Sequence, residues 1–428
     1  MVKVVVIGGG WAGASAALAA AKVGAEVVLL ERTDMLLGTG NVGGIMRNNG
    51  RYTAAEEAIA LGAPEMFDAV DLVARHKNID FPGHKHATLY DVFKMELVVK
   101  KILLEAGVNI RLQTRFKDVV MEGTKKIGAV KAGKAVIIKG NVFVDTTGTA
   151  GPPKNCIKYG NGCVMCIMRC PSFGPRVSVA EKAGVKELIA KKADGSLGAM
   201  SGSCKLDKDS LSYEIVKELD EKGVCIVPIP VELKKVDILD KKACQQYAIK
   251  EFAENLILLD TGHAKLMTPF FPLEQLKKIP GFENARFVDP YTGGVGNSMR
   301  YLAMSPRTNE LRVEGMDNLF CAGEKAGPLV GHTEAIVTGT LAGYNAVRSA
   351  LEMELLTLPR ELAIGDAIAH VGQEMKTEEG VRLKYTFSGS VYLERMNELG
   401  LYTTNIKDIK AKVDKSGLSN IFKKKLSN

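Results

Sequence analysis

The sequence predicts an α/β protein whose main domain is a Rossmann-like dinucleotide-binding domain. Two observations support this fold class. The first is a unit of strand, glycine turn, helix and strand within the first 31 residues of the chain. The second is a glycine content of 44 in 428 residues, about 10% against a usual value of roughly 7%, in runs without a fixed period. Such runs exclude a collagen-like fibre and are typical of backbone that approaches a ligand closely.

The amino terminus carries the strongest motif. The β-branched run 3–7 predicts a strand, the alanine-rich stretch 14–23 predicts a helix, and the apolar run 26–30 predicts a second strand that ends at Glu31. Between the first strand and the helix the chain reads GGGWAG, a G-x-G-x-x-G motif at residues 8–13. In this context the motif is typical of dinucleotide binding.

Each position of the motif has a physical task. Gly8 permits the tight turn, Gly10 lets the backbone approach a pyrophosphate, and Gly13 lets the helix pack closely on the sheet. The free N–H groups at the helix N-terminus favour the negative charge of that pyrophosphate. Glu31 stands 18 residues after Gly13 and is placed to accept hydrogen bonds from a ribose diol.

Three later segments indicate which dinucleotide is expected. A second glycine loop, GTGNVGG, spans 38–44, residues 142–148 read VFVDTTG, and residues 314–346 include LFCAGEKAGPLVGHTEA. Short alternating strands are expected between 108 and 138. These segments resemble the FAD motifs of glutathione-reductase-type flavoproteins. The last one closely resembles the second FAD motif of the GidA and TrmFO family, flavoproteins that modify uridine in bacterial tRNA.

The first motif and this resemblance together imply the residues that bind FAD. They are Gly8, Gly10, Trp11, Ala12, Gly13, Glu31, Arg32, Gly38, Gly43, Gly44, Val119, Thr147, Gly148, Gly323, Glu324, Gly331, Thr333, Glu334 and Ala335. A helix at 333–349 is expected to point its N-terminus at the flavin. His332 at its start is a candidate catalytic residue, as a hydrogen-bond or proton donor to the flavin, with helix capping as the alternative.

These anchors divide the chain into four segments. The FAD-binding domain is expected in two parts, 1–150 and 286–350. Residues 151–285 form an inserted α+β substrate domain that carries the cysteines, and residues 351–428 form a helical, basic C-terminal extension. Before the helix predicted at 90–106, the two histidines of the segment FPGHKHATLY are expected in a loop.

A cysteine run at 156–172 opens the inserted domain. It places Cys163, Cys166 and Cys170 in a C-x-x-C-x-x-x-C-P pattern, with Cys156 seven residues upstream. Three hypotheses stay open. The four thiolates could ligate a [4Fe-4S] cluster, since the pattern matches part of the bacterial ferredoxin run. Cys163, Cys166 or Cys170 could be redox or nucleophilic thiols near the flavin. All four could also be buried residues or zinc ligands.

The resemblance to GidA bears on these cysteines in two opposite ways. The sequence CPS at 170–172 resembles the segment of GidA in which a cysteine attacks the uracil ring at C6. In the second glycine loop, however, the tRNA-modifying relatives carry a cysteine, whereas this chain has Thr39, Asn41 and Val42. Because that chemistry uses two thiols, this departure weighs against uridine modification.

The sequence thus leaves three functional hypotheses. The main one is an FAD-dependent oxidoreductase of the GidA/TrmFO-like family that transfers hydride or electrons through the flavin. The second is a tRNA or rRNA uridine C5-methyltransferase that uses methylenetetrahydrofolate and FAD. The third is a non-enzymatic flavin-bearing subunit that passes electrons to a redox partner protein. No second nicotinamide-binding glycine motif follows the first, so NAD(P)H would react without a Rossmann domain of its own.

Charge and hydropathy limit the partners. The chain has 57 basic and 49 acidic residues, a formal net charge of +8, and residues 406–428 carry +5 of it. A solvated lysine-rich terminus is the first interpretation, and RNA is a weaker one, because no arginine and only one aromatic residue, Phe422, stand among the lysines. No apolar stretch reaches the roughly 18 to 20 residues of a membrane span. We expect a cytoplasmic protein without membrane contact that acts on a small molecule or a redox partner, and homo-oligomers are compatible with the sequence.

Overall fold

The structure is a computed structural model of the chain. It describes residues 1–148, 170–192, 195–197, 199–201, 204–234, 245–267, 271–288, 298–300 and 302–426. In these ranges no helix has the length and apolar character needed to cross a lipid bilayer.

The described part of the chain contains both strands and helices. The strands are β1 (Lys3–Ile7), β2 (Glu26–Leu30), β3 (Ile45–Met46), β4 (Ala74–Phe81), β5 (His84–Tyr90), β6 (Asn109–Arg111), β7 (Phe116–Glu122), β8 (Lys126–Ala132), β9 (Val136–Lys139), β10 (Val142–Asp145), β11 (Leu188–Ile189), β12 (Ala199–Ser201), β13 (Cys204–Leu206), β14 (Val224–Pro228), β15 (Asn255–Asp260), β16 (Ala264–Leu266), β17 (Ser298–Arg300), β18 (Ala303–Met304) and β19 (Leu319–Cys321). The helices are α1 (Trp11–Lys22), α2 (Gly50–Ala60), α3 (Glu65–Leu72), α4 (Val92–Glu105), α5 (Cys170–Phe173), α6 (Val179–Lys182), α7 (Tyr213–Lys222), α8 (Lys250–Glu254), α9 (Leu273–Leu276), α10 (His332–Ala350), α11 (Ala363–Glu374), α12 (Ser390–Glu398) and α13 (Ile406–Lys415).

The central sheet is parallel and has the strand order β19-β10-β1-β2-β6. Its inner strands β1, β2 and β10 are short, rich in valine and mostly buried, as expected for a parallel sheet covered on both faces, whereas the edge strand β6 is partly exposed. An antiparallel sheet of order β7-β8-β9 follows β6. The α/β fold class is confirmed, as are the strands predicted at the first motif, between 108 and 138, and in the VFVDTTG segment.

The backbones of the helices α1 and α10 pack closely against each other. A Cβ atom added at Gly339 would lie 2.2 Å from the carbonyl oxygen of Ala12, and one added at Gly343 would lie 2.1 Å from that of Ala16. Only glycine therefore allows these backbones to approach. The alanine-rich sequence of α1 and the glycines of α10 fix the relative position of the two helix N-termini.

A second group of sheets lies beyond the dinucleotide domain. The strands β13, β16, β15 and β14 form an antiparallel sheet with its own core, which includes Leu206, Leu258 and Phe282. The antiparallel sheet β3-β5-β4 shares a further core with β15, in which Leu89 packs with Ile257. The second region thus combines strands from both sides of residue 150. The division of the chain at 150, 285 and 350 stays a prediction.

One sequence expectation in this region was wrong. His84 begins β5 and is buried, and His86 lies within the same strand rather than in a loop. The sequence FPGHKH suggested a loop because of its Pro82-Gly83 pair, which instead forms the tight turn between β4 and β5.

The chain ends in a helical region, as the sequence predicts. The helix α11 begins against the buried carboxylate of Glu57 on α2, which accepts hydrogen bonds from the backbone N–H groups of Ala363 (2.9 Å) and Ile364 (3.0 Å). These N–H groups lack partners within their own helix, so Glu57 caps α11 from a distance. The amphipathic helix α13 buries Ile409 and Val413 and contacts α2.

This cap predicts that stability decreases as pH rises toward neutrality. Burial raises the pKa of Glu57 from 4.5 to about 7. Between these pH values the unfolded chain releases a proton that the folded chain retains, so the free energy of unfolding falls by about 3 kcal/mol. Glu57→Gln should remove this part of the pH dependence, measured by denaturant unfolding between about pH 4 and pH 8.

The control is Glu361→Gln, because Glu361 is exposed and lies close to the start of α11. This variant should keep the wild-type slope. If Glu57→Gln unfolds with the same pH dependence as the wild type, the ionisation of Glu57 is not coupled to folding.

Candidate functional site

Two adjoining cavities lie at the carboxyl end of the central sheet. The larger, of about 500 Å³, is lined by the first glycine turn, the end of β2, the residues that precede β7, and the start of α4. The smaller, of about 170 Å³, is lined by the second glycine loop and the start of α10. Seven residues line both cavities, among them Gly10, Thr39, Gly148 and Glu324. The two spaces therefore form one elongated site.

The first glycine turn has the geometry of a phosphate receptor. Gly8 has φ +107°, and a Cβ atom at Gly13 would lie 1.7 Å from the carbonyl oxygen of Gly8. Gly10 differs, since a Cβ atom there meets no atom within 4 Å, and Gly10 lines both cavities. Gly10 is the N-cap residue of α1, no side chain caps this helix end, and the first turn contains no acidic residue. Its first N–H groups are thus left for an anion.

Glu31 stands at the end of β2, as the motif predicts. Its Oε2 accepts a hydrogen bond from the N–H of Gly9 (2.8 Å), and its Oε1 accepts from the N–H of Thr33 (2.8 Å). The carboxylate is buried at the wall of the larger cavity, where it can meet a ribose diol. Arg32 lines the same cavity and donates to the carbonyl oxygen of Gly174 (2.5 Å).

Beyond the glycine turn, the structure brings further predicted residues to the site. Thr147 and Gly148, which follow β10, line the larger cavity. Val119 does not line it, because it lies three residues further along β7 than Phe116, the last residue of the segment 114–116 that lines the cavity. The side chain of Arg176 lies against Gly148, where a Cβ atom would be 2.8 Å from its Nη1, so a cation stands near the glycine turn.

The second glycine loop is a tight turn in which His332 packs against the backbone. A Cβ atom added at Gly43 would lie 1.5 Å from the His332 ring, and one at Gly44 would lie 2.4 Å from Thr261. The ring of His332 is 6.0 Å from that of Trp11 and is hydrogen-bonded through Nδ1 to the Tyr90 hydroxyl (3.2 Å). Gly43 is thus a glycine because an aromatic ring lies against its Cα. Gly38 lines the larger cavity.

Several predicted residues form the wall of the smaller cavity. They are Trp11, Ala12, Gly43, Gly323, Glu324, Gly331, His332 and Ala335. The indole Nε1 of Trp11 is buried and has no hydrogen-bond partner, so a polar group of a bound molecule would satisfy it. Burial raises the pKa of the neighbouring Tyr90, which therefore stays protonated and is a hydrogen-bond donor.

The structure does not bring Thr333 and Glu334 to the cavities. Both are fully buried and line neither cavity. Glu334 pairs with Arg51 (3.1 Å) and accepts hydrogen bonds from the Thr386 hydroxyl (2.7 Å) and the N–H of Phe387 (2.9 Å). Its task here is to join α10 to α2 and to the C-terminal region. The sequence motif could not show this, because the partners are distant in the chain.

The cysteine hypotheses fall mainly outside the described residues. Cys156, Cys163 and Cys166 are not described, and of Cys170 the structure gives only the backbone, at the start of α5. In the part of the chain that is described, Cys204, Cys225 and Cys321 are buried, and no group of three or more metal-ligating side chains is present.

Other residues of the site were missed by sequence reasoning. From the inserted region, Lys205 and His263 line the larger cavity, while Tyr247, Lys265 and Met267 line the smaller one. No motif marks them, since they stand on separate strands and turns. Only the antiparallel pairing of β13 with β16 brings the two lysines together.

The fold and this elongated site define a Rossmann-type FAD-binding flavoprotein. Four features fit a dinucleotide with a bulky second ring system. They are a glycine backbone that a Cβ atom would obstruct, an uncapped helix N-terminus, an acid at the ribose position, and a second cavity beyond them. The residues present therefore fit FAD.

Comparison with known proteins identifies the family. The family model for glucose inhibited division protein A, GidA, matches residues 3–257 and 260–354. A solved structure of GidA from Aquifex aeolicus shares the fold, with a TM-score of 0.65 over 96% of this chain and 76% of that chain at 18% identity. The chain therefore belongs to the GidA family of FAD-dependent proteins.

Two curated relatives are similar to this chain over different lengths. The tRNA uridine 5-carboxymethylaminomethyl modification enzyme MnmG of Thermus thermophilus is 26% identical over 408 residues, 84% of this chain. The chain spans 66% of the length of that relative. The methylenetetrahydrofolate–tRNA-(uracil-5-)-methyltransferase TrmFO of Desulfotalea psychrophila is 33% identical over 95 residues, 22% of this chain and 21% of that protein.

Substitutions at Gly10 and Gly13 should differ in their effects: the first should weaken cofactor binding, and the second should destabilise the fold. Gly10→Val places a side chain in open space at φ −68°, so the apoprotein should unfold like the wild type, whereas FAD should bind at least tenfold more weakly, about 1.4 kcal/mol. Gly13→Ala should instead destabilise the apoprotein by about 1 to 3 kcal/mol, because its methyl group meets the backbone of Gly8. Denaturant unfolding and FAD titration measure both effects.

Gly107→Ala is the comparison variant, because Gly107 lines neither of the two cavities and has φ +78°, so this variant should lose stability through backbone strain and keep the wild-type affinity for FAD. It separates a general loss of stability from a loss of cofactor binding. Normal FAD affinity in Gly10→Val would show that the cofactor does not approach the glycine turn.

Proposed function

We propose that this protein is a flavin-dependent enzyme that modifies uridine in tRNA. The observation that carries the proposal is the smaller cavity, which joins the first glycine turn and the start of α10 to a wall of the inserted region. Membership of the GidA family and the similarity to MnmG over 84% of this chain support it. When bound, the FAD would supply reversible hydride or electron transfer at this cavity.

The walls of the smaller cavity suit a planar ring. Trp11, Tyr247 and Met267 give it an aromatic and apolar lining, and Gln246 adds an amide that can both donate and accept hydrogen bonds. A uracil ring presents both kinds of group on one edge. In this proposal the flavin ring lies against the second glycine loop and the start of α10. Gln246, Tyr247 and Met267 on the opposite wall then favour a nucleobase, rather than a carboxylic acid or a sugar, as the molecule that enters beside it.

The second glycine loop carries no thiol, so we place the sulfur of a covalent mechanism in the cysteine run. Within this proposal Cys170 is the nucleophile. Its thiolate sulfur forms a bond to C6 of the uracil, and the displaced electron pair of the C5–C6 double bond makes C5 a nucleophile. With methylenetetrahydrofolate as the carbon donor, C5 forms a bond to the methylene carbon, and the bond from that carbon to a folate nitrogen breaks. Breaking the sulfur–C6 bond and losing the C5 proton at the end of the reaction restores the double bond.

The surface of the C-terminal region supports a nucleic acid as partner. With Ile409 and Val413 buried, α13 leaves Lys407, Lys410 and Lys415 exposed, and the three lysines at 423–425 are exposed as well. A row of lysines on a packed helix supplies the sequence-independent attraction that phosphate backbones experience. Homo-oligomers and reduction by NAD(P)H remain expectations from the sequence.

The nucleoside profile of tRNA tests the proposal. A strain that lacks the gene should lose one 5-substituted uridine, measured by mass spectrometry of digested tRNA. Wild-type protein and Cys204→Ser should restore it, whereas Cys170→Ser should not. Cys204 is a suitable control because its thiol is fully buried in the core of the β13–β16 sheet.

The outcome also separates the alternatives. Loss of 5-methyluridine alone would favour the folate-dependent methyltransferase, the activity that the name of the shorter relative describes. An unchanged profile would overturn uridine modification in tRNA, and flavin reduction only in the presence of a second protein would then favour a redox subunit.

The thiol role of the cysteine run predicts a protein without iron. An anaerobic visible spectrum of the purified protein should show flavin bands alone, and metal analysis should find neither iron nor zinc in stoichiometric amounts. Iron together with a broad absorption shoulder that Cys163→Ser abolishes would contradict this and establish a cluster.

A further inference from the structure

Two polar side chains on the wall of the larger cavity carry buried atoms without a hydrogen-bond partner. They are Asn41 on the second glycine loop and His263 in the turn between β15 and β16. Among the described residues, no group is bonded to Oδ1 of Asn41 or to either ring nitrogen of His263. Such orphaned atoms are rare in folded proteins, because each loses its bond to water on burial. Two such side chains on different elements of one cavity wall indicate a polar group of a ligand.

The ring of His263 is held in place by its surroundings. It is only 4% exposed, and it packs edge-on against Phe93 with a centroid distance of 4.5 Å. The backbone of the turn is fixed as well, since the N–H of Thr261 donates to the carbonyl oxygen of His263 (3.1 Å). The ring therefore loses little side-chain freedom when a ligand binds.

The unpartnered atoms define which kind of group fits. The Nδ2 of Asn41 donates to the carbonyl oxygen of Leu36 (2.8 Å), which fixes the amide orientation and leaves Oδ1 as an acceptor. Burial, followed by the charges of Lys205 and Lys265, lowers the pKa of His263 to about 3. The imidazole is therefore neutral at physiological pH and has one donor and one acceptor nitrogen. The wall thus offers two acceptors and one donor.

Hydroxyl groups match this pattern, whereas a phosphate group does not. A hydroxyl can donate to Oδ1 of Asn41, and its oxygen can accept from the N–H of His263. A phosphate oxygen without a proton can only accept, so it would leave both acceptors unsatisfied. A chain that carries several hydroxyl groups also supplies the O–H that the acceptor nitrogen of His263 requires.

Both residues stand close to the place where the two cavities join. On the second glycine loop, Thr39 and Val42 line both cavities, and Asn41 lies between them in the chain. In the inserted region, His263 lines the larger cavity, whereas Lys265, two residues later, lines the smaller one. The two segments thus pass from one cavity to the other, and a ligand that occupies both cavities has to run past them.

We propose that Asn41 and His263 bind hydroxyl groups of the ribitol chain of FAD. This chain links the pyrophosphate to the flavin ring, so we place it at the junction of the two cavities. The ribose diol, the other part of FAD that carries hydroxyl groups, has its acceptor in Glu31. The inserted region thereby takes part in holding the cofactor. The inference rests on the cofactor alone and is independent of the reaction that the flavin performs.

An FAD analogue tests the proposal. Its ribitol chain is replaced by an unsubstituted five-carbon chain, and both compounds are titrated into the apoprotein with flavin fluorescence as the readout. The wild type should bind FAD about tenfold more tightly than the analogue, because the analogue leaves the buried acceptors and the donor unpaired. In His263→Phe and in Asn41→Leu the affinity for FAD should fall by about five- to tenfold, while the affinity for the analogue stays unchanged.

The stability of His263→Phe separates a role in binding from a structural role. Phenylalanine keeps an aromatic ring against Phe93 and removes two buried nitrogens that lack partners in the described part of the chain. The apoprotein of this variant should therefore unfold at the same denaturant concentration as the wild type or at a higher one. A residue that served only the fold would lose stability instead, with the binding of FAD and of the analogue weakened alike. Asn41→Leu provides a second variant on a different element.

The control is Gln275→Leu on α9. The Oε1 of Gln275 is also buried without a partner within the described ranges, but Gln275 lines neither cavity, so this variant should bind both compounds like the wild type. Equal affinity of the wild type for FAD and for the analogue would overturn the proposal, as would a full preference for FAD in both His263→Phe and Asn41→Leu. The tRNA nucleoside profile is a separate measurement, so either proposal can fail while the other stands.

Discussion

The contact between the backbones of α1 and α10 is the constraint on which the site depends. Gly339 and Gly343 allow α10 to lie against the carbonyl oxygens of Ala12 and Ala16, and Gly13 allows α1 to lie against Gly8. Both helices consequently begin at the same end of the central sheet. Two helix N-termini, each with unsatisfied N–H groups, then face one elongated space. A dinucleotide cofactor is the ligand that such a space suits.

The inserted region completes this space by contacting the second glycine loop. Lys205 and Lys265 donate to its carbonyl groups, and the ring of His332 packs on Gly43 from the other side. The buried pair of Arg51 and Glu334 holds the start of α10 in place, and removing one member of such a pair typically costs about 3 to 5 kcal/mol. The loop therefore contacts both the inserted region and the start of α10.

Local motifs predicted the dinucleotide domain well because its parts are contiguous in sequence. The glycine turn, Glu31, and the helix that follows His332 all lie where the spacing placed them. Positions defined by distant partners could not be found this way. Glu334 faces Arg51 instead of the cavity, Val119 lies beyond the segment 114–116 that lines the cavity, and Lys205 and Lys265 meet only through strand pairing. Sequence patterns report local periodicity, whereas these features depend on tertiary contacts.

The most direct test of this account is a titration of the apoprotein with FAD, in competition with ADP and with NAD. If the larger cavity holds the adenosine diphosphate part and the smaller cavity holds the flavin, one FAD should bind per chain. ADP should then compete with FAD at lower affinity, and NAD should compete only weakly. Tighter binding of NAD than of FAD, or binding of ADP and FAD at the same time, would contradict the assignment of the two cavities.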